Sequence, residues 1–162
     1  MATNNLVFRD QVLPSDPDQI RAIVESSGFF SKEEIEIAVE LVNDRLAQGL
    51  ASGYYFIFAK QNKKVAGYTC FGPIPATQFS YDLYWIAVHN DYRGAGIGKQ
   101  LMFKSEQAIS QLGGRRVYIE TSSREQYDPT RAFYLACGYK EEALLEDFYA
   151  PGDSKVMYVK AI

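Results

Sequence analysis

The sequence has few of the residues that build disulfide frameworks and metal sites. Its 162 residues include two cysteines, Cys70 and Cys137, and one histidine, His89. Neither a disulfide scaffold nor a structural metal site is expected from so few ligands. A chain of this length buries roughly 70% of the surface of its unfolded form, so its core requires neither. We expect both thiols to be reduced and the protein to hold no metal.

A leader segment and long apolar runs are also missing. The chain starts Met-Ala-Thr-Asn-Asn, without the basic and then apolar segment of a secretory signal. No apolar run approaches the roughly 18 residues of a membrane-spanning helix. We therefore expect a cytoplasmic protein with no membrane partner.

An excess of positive charge is missing as well. Lys and Arg number 17 against 20 Asp and Glu, for a formal net charge of −3. Nucleic-acid binding depends on basic surfaces, so nothing here predicts a nucleic-acid partner. The small negative excess is compatible with a cationic partner such as an amine.

What is present is one series of helix and strand patterns. Neither an internal repeat nor a linker interrupts residues 1–162, which predicts a single domain. Capping residues begin two early helices: Asp16, as an N-cap, with Pro17 for the first, and Ser31-Lys32-Glu33-Glu34 for the second. Gly28 is placed to end the first of them. The other helices are predicted at 101–112 and 128–137, and the strands at 6–9, 54–60, 64–70, 81–88, 116–121, 144–148 and 155–160.

The predicted order is β-α-α-β-β-β-α-β-α-β-β. Long helices alternate with strands, although several strands also follow one another directly. This pattern predicts an α/β protein with a mixed central sheet and helices on both faces.

The most informative segment is Arg93-Gly94-Ala95-Gly96-Ile97-Gly98-Lys99, which lies between the strand ending at Val88 and the next helix. A glycine loop between a strand and a helix presents backbone N–H groups to a phosphate. Glycine allows close approach of the backbone and a positive φ. The basic side chains at both ends of the segment add favourable charge. We therefore expect an anion site here.

This loop has three other interpretations. A Walker P-loop is excluded, because Gln100 follows Gly98-Lys99 where Ser or Thr is required. The dinucleotide fingerprint lacks its third Gly or Ala, although Glu120 lies where a ribose-binding acid would. The incomplete fingerprint makes the hypothesis of a nucleotide-dependent oxidoreductase weaker but does not exclude it. The third interpretation is a tight turn with no ligand.

Together with the strand Leu83-Tyr84-Trp85-Ile86-Ala87-Val88, Arg93-x-x-Gly96-x-Gly98 resembles the pyrophosphate loop of the GNAT superfamily of acyl-CoA N-acyltransferases. In that family the strand before the loop splays from its neighbour, and the pantetheine arm of the cofactor fills the gap. The resemblance implies acetyl-CoA as the acyl donor. The pyrophosphate contacts it implies fall on Arg93, Gly94, Ala95, Gly96, Ile97, Gly98 and Lys99, and the contacts to the arm and thioester fall on the backbone of Ile86, Ala87 and Val88.

A second match lies about forty residues further on. Phe133-Tyr134-x-x-x-Gly138-Tyr139 resembles the family's aromatic-Tyr-x-x-x-Gly-aromatic segment. The resemblance extends over about residues 6–160, and its specific part is 83–139. One departure concerns the segment before Tyr134, where Tyr127 and Thr130 replace the Asn and Ala common in the family. A cofactor contact made by that Asn is therefore not carried over.

The resemblance and the chemistry of amide formation together imply further roles, with packing on the sheet as the alternative for Tyr134 and salt-bridge or capping roles as the alternative for the two acids. Tyr134 is the candidate general acid that protonates the departing thiolate, and the Val88 N–H would donate to the thioester oxygen. An amine with a pKa of about 10.4 must lose a proton before it attacks. The candidate bases are Glu120, near the end of a central strand, and Asp82, at the start of the preceding strand. We expect His89 to be a turn residue, and Cys137 lacks the histidine partner of a nucleophile.

The acceptor pocket is predicted from position. The loop between the first two helices and the segment 148–153 resemble substrate-side loops of the family. The candidate substrate-binding residues are Phe29, Phe30, Tyr84 and Phe148, with Phe71 and Trp85 as further aromatic wall. The expected partner is the amine of a small molecule or a peptide, and a homodimer is left open.

The leading hypothesis is thus an acetyl-CoA-dependent N-acetyltransferase. A protein that binds acyl-CoA without catalysis, as a sensor module, is the alternative from a different functional class. The oxidoreductase interpretation is a third and predicts binding of NAD(P)H without affinity for CoA.

Overall fold

The computed structural model describes residues 5–28 and 30–162. Its helices are α1 (Asp16–Ser26), α2 (Lys32–Gln48), α3 (Ile97–Gln111) and α4 (Asp128–Ala136). Its strands are β1 (Leu6–Arg9), β2 (Tyr55–Gln61), β3 (Lys64–Pro73), β4 (Ser80–Val88), β5 (Arg116–Ser122), β6 (Lys140–Ala150) and β7 (Asp153–Ala161). The predicted order of helices and strands is confirmed.

The seven strands form a mixed sheet in the order β1-β2-β3-β4-β5-β7-β6. Antiparallel pairing joins β1 to β2, β2 to β3, β5 to β7 and β6 to β7. β4 and β5 are parallel, and α3 makes the crossover connection that parallel neighbours require. The fold class is therefore confirmed as a mixed α/β sheet.

The early helices begin at the predicted residues, but one cap differs. Ser31 and Glu34 form the predicted capping box of α2. The N-cap of α1 is Ser15, so the prediction for Asp16 was wrong. The Asp16 carboxylate is fully buried, pairs with Arg9 at 2.6 Å and accepts the Leu13 N–H at 2.7 Å. A strong side-chain partner thus draws this carboxylate away from the helix terminus.

Two further boundaries are set by a tight turn and by burial in the core. Asn62 and Lys63 both have positive φ, 52° and 66°, as a two-residue hairpin turn requires. α3 begins at Ile97, four residues before the predicted start at Leu101. Ile97 and Leu101 are both buried and lie one helical turn apart, which anchors this first turn in the core.

The chain divides into two compact units, which are described separately: unit one contains residues 1–72 and 85–105, and unit two contains 73–84 and 106–162. The prediction of one domain over 1–162 stays a prediction. Within the described ranges, none of the helices combines the length and apolar character needed to cross a membrane.

In unit one, helices cover both faces of the sheet. Tyr68 and Cys70 of β3 lie in a buried core with residues of α1 and α2. Thr69 points the other way, and its hydroxyl lies 2.7 Å from that of Ser105 on α3. Alternate residues of β3 thus contact helices on opposite sides.

In unit two, β5 and β7 carry α4 on one face. The ring of Tyr134 on α4 lies 5.7 Å from that of Tyr158 on β7. β6 starts at Lys140, four residues before the prediction, and all eleven of its residues are exposed. The absence of an alternating apolar pattern in its first residues explains why this extension was not predicted.

Candidate active site

The glycine loop of unit one has the geometry of an anion site. It follows β4 and begins α3, and its residues Gly94 to Gly96 are exposed. Gly94 and Gly96 have φ of 83° and 77°, a region that side chains with a Cβ rarely adopt. The Gly96 carbonyl accepts the Gln100 N–H at 3.2 Å, so the loop leads directly into the first turn of the helix. Backbone N–H groups at such a junction carry partial positive charge.

The charges around this junction favour an anion. Arg93 and Lys99 are exposed, and the first turn of α3 contains no acidic residue. His89 belongs to the turn that precedes the loop: its N–H donates to the Ala66 carbonyl at 2.7 Å, and its Nδ1 accepts the Asp91 N–H at 3.1 Å. Both contacts agree with the turn role expected for His89.

The end of β4, before the loop, is closely approached by the neighbouring strand β3. A Cβ at Gly67 would lie 2.9 Å from the Ala87 carbonyl oxygen and 3.2 Å from a methyl group of Val88. Only glycine at this position lets β3 approach the part of β4 predicted to contact the thioester. Sequence reasoning missed Gly67, although a glycine inside a predicted strand signals a close backbone approach.

β4 is paired with β5 over a short stretch at its start. The register joins Ser80 to Arg116, Tyr81 to Val117 and Asp82 to Tyr118. Among the described residues, no further pair of this register is found, although β4 continues to Val88. The backbone of 86–88 thus lies beyond the part of β4 that pairs with β5.

In unit two, Tyr134 is buried among aromatic rings. Its side chain is 7% exposed, and its ring lies 5.7 Å from Tyr158 and 6.4 Å from Tyr139. Burial raises the pKa of Tyr134 above its usual range. The phenol therefore stays protonated at neutral pH, as a proton donor must.

The two candidate bases lie on one face of unit two. Asp82 is in register with Tyr118, two residues before Glu120. Residues two apart on a strand share a face, and registered partners do too. Burial raises the pKa of Asp82, the Glu120 carboxylate raises it further, and the Lys155 ammonium lowers it. The structure therefore brings Asp82 and Glu120 into electrostatic contact.

The structure separates Tyr134 from these two acids by the thickness of the sheet. Glu120 is in register with Met157, whereas Tyr134 packs on Tyr158, the next residue of β7. Successive residues of a strand point to opposite faces. The acid candidate and the base candidates consequently lie on opposite sides of β5 and β7.

Lys155 on β7 lies beside the candidate base Glu120. Sequence reasoning did not identify it as a functional residue. Its ammonium forms an ion pair with Glu120 and lies 4.4 Å from the centre of the Phe148 ring. The neighbouring Tyr149 has its pKa raised to about 12 by burial and by the Glu120 carboxylate. No sequence motif marks Lys155, because only the register of β5 with β7 places it beside Glu120.

The aromatic candidates for the acceptor pocket lie in different environments. In unit one, Phe30 and Trp85 make an edge contact with ring centres 5.2 Å apart. In unit two, Tyr84 and Phe148 are exposed, by 37% and 55%. Phe71 is buried in the core and stacks on Tyr55, which fits a core residue better than the wall of a pocket. Phe29 lies outside the described residues.

The described cysteines and acids were also candidates for a metal site or a reactive thiol. Within residues 5–28 and 30–162, no cluster of His, Cys, Asp and Glu could hold a metal ion. Cys70 is buried, and burial raises the pKa of its thiol, which keeps it an unreactive core residue.

Comparison with known proteins agrees with the glycine loop and the fold. The model of the Acetyltransferase (GNAT) family matches residues 19–139. A solved protein from Desulfovibrio desulfuricans, assigned as an acetyltransferase of the GNAT family, is 45% identical to this chain. It superimposes with a TM-score of 0.95, over 96% of this chain and 98% of its own.

Two more distant structures share the fold. The ribosomal-protein-S18-alanine N-acetyltransferase from Escherichia coli is 18% identical, with a TM-score of 0.75 over 97% of this chain and 94% of its own. The PaiA N-acetyltransferase from Thermoplasma acidophilum, solved with coenzyme A, is also 18% identical, with a TM-score of 0.73 over 98% and 99%. No curated protein sequence matches the chain. The family match and the 45% identical structure show that the chain belongs to the GNAT family of acetyltransferases.

Proposed function

We propose that this protein transfers an acetyl group from acetyl-CoA to the amine of a small molecule or a peptide. One observation carries the proposal: the exposed loop between β4 and α3 holds two glycines at positive φ, flanked by Arg93 and Lys99. Such a loop suits a diphosphate, and the family is one of acetyltransferases. The PaiA structure with coenzyme A supports the same donor class.

The residues proposed to hold acetyl-CoA are those of the loop and of the strand before it. The N–H groups from Gly94 to Gly98 would donate to the pyrophosphate, and Arg93 and Lys99 would supply positive charge. The backbone of 86–88 would pair with the pantetheine arm. Its position beyond the part of β4 that pairs with β5, with Gly67 of β3 in close approach, supports this role.

Asp82 is the better supported general base of the two candidates. Glu120 is 53% exposed and already paired with Lys155, so its charge is largely neutralised. Asp82 is half-buried, and its raised pKa brings it closer to neutral pH, where a base is most effective. The Glu120 carboxylate would then raise the pKa of Asp82, and the Lys155 ammonium would lower it.

The separation of acid and base across the sheet of unit two suits the reaction. An amine whose proton passes to Asp82 would approach from the face of Glu120 and Lys155. Tyr134, on the face covered by α4, would give its proton to the departing sulfur. The two proton transfers therefore use different groups and do not compete.

Removing the proposed base gives a test with a defined pH signature. With Asp82→Asn we expect kcat/KM at pH 7 to fall by about tenfold or more, because the substrate amine loses its proton acceptor. In the native chain kcat/KM rises as pH increases through the pKa of Asp82, which lies above the usual carboxyl value of 3.8. Lys155→Met should move this acidic limb to higher pH, because Lys155 lowers that pKa.

A control variant and the Glu120→Gln variant decide whether Asp82 or Glu120 is the base. Asp18→Asn, an exposed acid of α1, is the control and should leave the profile unchanged. An unaltered profile in Asp82→Asn, together with loss of the acidic limb in Glu120→Gln, would transfer the role of base to Glu120.

The overall proposal is tested by thiol release from acetyl-CoA over a panel of amines. Arylalkylamines, diamines, aminoglycosides and short peptides with unblocked N-termini cover the two acceptor classes. We expect release above the rate without amine for at least one class, with mass spectrometry showing the acetylated product. Release that no amine accelerates would contradict a transferase.

A further inference from the structure

In unit two, β6 departs from regular pairing shortly before its end. Its register with β7 shifts between Leu145 and Ala150, so that residues 146–149 form a bulge. The bulge carries Phe148 and Tyr149, whose ring centres lie 5.1 Å apart with the ring planes at 88°. We call these two residues the aromatic corner. Bulges commonly aim side chains at a site that a regular strand would not reach.

Hydrogen bonds fix the backbone of this bulge. Asp147 has a φ of 53°, and its carboxylate accepts the Gly152 N–H at 2.8 Å. The Asp147 N–H donates to the Ser154 hydroxyl at 3.1 Å, and the Ser154 N–H donates to the Ser123 hydroxyl at 2.8 Å. The bulge is thereby tied to the segment that follows β5. The two rings of the aromatic corner are nevertheless exposed, by 55% and 46%.

The aromatic corner lies beside the two candidate bases. The Lys155 ammonium lies 4.4 Å from the centre of the Phe148 ring and pairs with Glu120. Burial and the Glu120 carboxylate raise the pKa of Tyr149 to about 12, so its phenol is uncharged at neutral pH. The Asp82 carboxylate interacts with the charges of both Glu120 and Lys155. These contacts bring two acids, one ammonium and two rings together on one face of unit two.

The charges of this group suit one cation. Asp82 and Glu120, when ionised, carry two negative charges, and Lys155 supplies one positive charge, which leaves a single negative charge for a ligand to balance. An ammonium beside carboxylates and exposed rings is favourable through both Coulomb and cation–π attraction.

Two other cations of unit two are engaged or remote from this group. Arg124 pairs with Asp153, with 3.2 Å between the guanidinium and the carboxylate. Arg116 begins β5, four residues before Glu120, and is not among the groups that shift the pKa of Asp82. A carboxylate on the ligand would therefore meet the two acids without a cation to balance it.

We infer that the acetyl acceptor is a hydrophobic primary monoamine, with its amine at Asp82 and Glu120 and its aromatic or alkyl group against the aromatic corner. This inference rests on the proposed acetyltransferase function. Two perpendicular rings offer a face and an edge, which suits a third ring or an alkyl chain. A second ammonium on the ligand would lack a carboxylate, and a carboxylate would lack a cation, so diamines and amino acids are poor acceptors.

The test compares kcat/KM for 2-phenylethylamine, ethylamine, butane-1,4-diamine and phenylalanine at saturating acetyl-CoA. We expect the value for 2-phenylethylamine to exceed each of the others by about tenfold or more, because burial of one phenyl group contributes roughly that factor. An equal or higher value for any of the other three would overturn the inference.

Saturation-transfer NMR with the same four compounds and CoA measures binding without turnover. A protein that acetylates another amine but does not bind 2-phenylethylamine would overturn the inference alone. Selective binding of 2-phenylethylamine without acetylation of any amine would contradict the proposed function and support the aromatic corner as the binding site.

A pair of matched variants assigns the preference to the aromatic corner. Phe148→Ala should lower the ratio of kcat/KM for 2-phenylethylamine over ethylamine about tenfold, since it removes the apolar wall. Leu144→Ala is the control, because Leu144 is also exposed, by 54%, and its register with Val156 places it on the face of Tyr158 and α4. An unaltered ratio in Phe148→Ala, or an equal fall in Leu144→Ala, would overturn the inference.

Discussion

Tyr134→Phe is expected to lower kcat about 10²–10³-fold while the Kd for acetyl-CoA stays nearly unchanged, since one general acid contributes about 10²–10⁴-fold. The substitution removes a single oxygen from a side chain that is 7% exposed and held between aromatic rings. The ring contacts remain, so the fold should be maintained. Stopped-flow thiol release and calorimetric titration with acetyl-CoA measure the two quantities.

Tyr158→Phe is the matched control for this substitution. Tyr158 is also buried, and its ring lies 5.7 Å from that of Tyr134. Loss of its hydroxyl should change kcat by less than a few fold. A Tyr134→Phe protein with native kcat would remove Tyr134 from the mechanism. A native chain that binds acetyl-CoA and turns over no amine would favour the sensor module.

Gly96→Ala is expected to raise the Kd for acetyl-CoA about 10–100-fold. The φ of 77° at Gly96 costs a residue with a Cβ roughly 1–2 kcal/mol, and relief of this strain turns the loop N–H groups away from the pyrophosphate. Each lost hydrogen bond to a charged group costs about 1.5–3 kcal/mol, which gives the expected factor.

Gly53→Ala separates loss of binding from simple backbone strain. Gly53 has a φ of 78°, and a Cβ there, as at Gly96, would meet no atom within 4 Å. Both substitutions should lower the thermal unfolding temperature by a similar amount, and only Gly96→Ala should weaken acetyl-CoA binding. Equal effects on binding would mean that the loop amides do not hold the cofactor.

The sequence predicts the fold well because its signals are local. The capping box at Ser31 and the glycine that ends α1 each act over a few residues. Errors occur where tertiary contacts decide. Asp16 leaves the helix cap for Arg9, and α3 starts early because Ile97 reaches the core.

The candidate site is predicted in part for the same reason. The glycine loop is a continuous segment whose geometry follows from its residues, so it could be found directly. Lys155 and Gly67 depend on which strands become neighbours, and the sequence does not encode that pairing locally. The placement of Tyr134 and Glu120 on opposite faces likewise follows from the register of β5 with β7.

The most direct test of the central claim, that the loop between β4 and α3 binds an acyl-CoA, is parallel calorimetric titration with acetyl-CoA, CoA and NADH. We predict micromolar binding of both CoA forms, no heat from NADH, and binding that is about 10–100-fold weaker in Gly96→Ala but unchanged in Gly53→Ala. Binding of NADH without binding of either CoA form would contradict the claim and assign the loop to a dinucleotide.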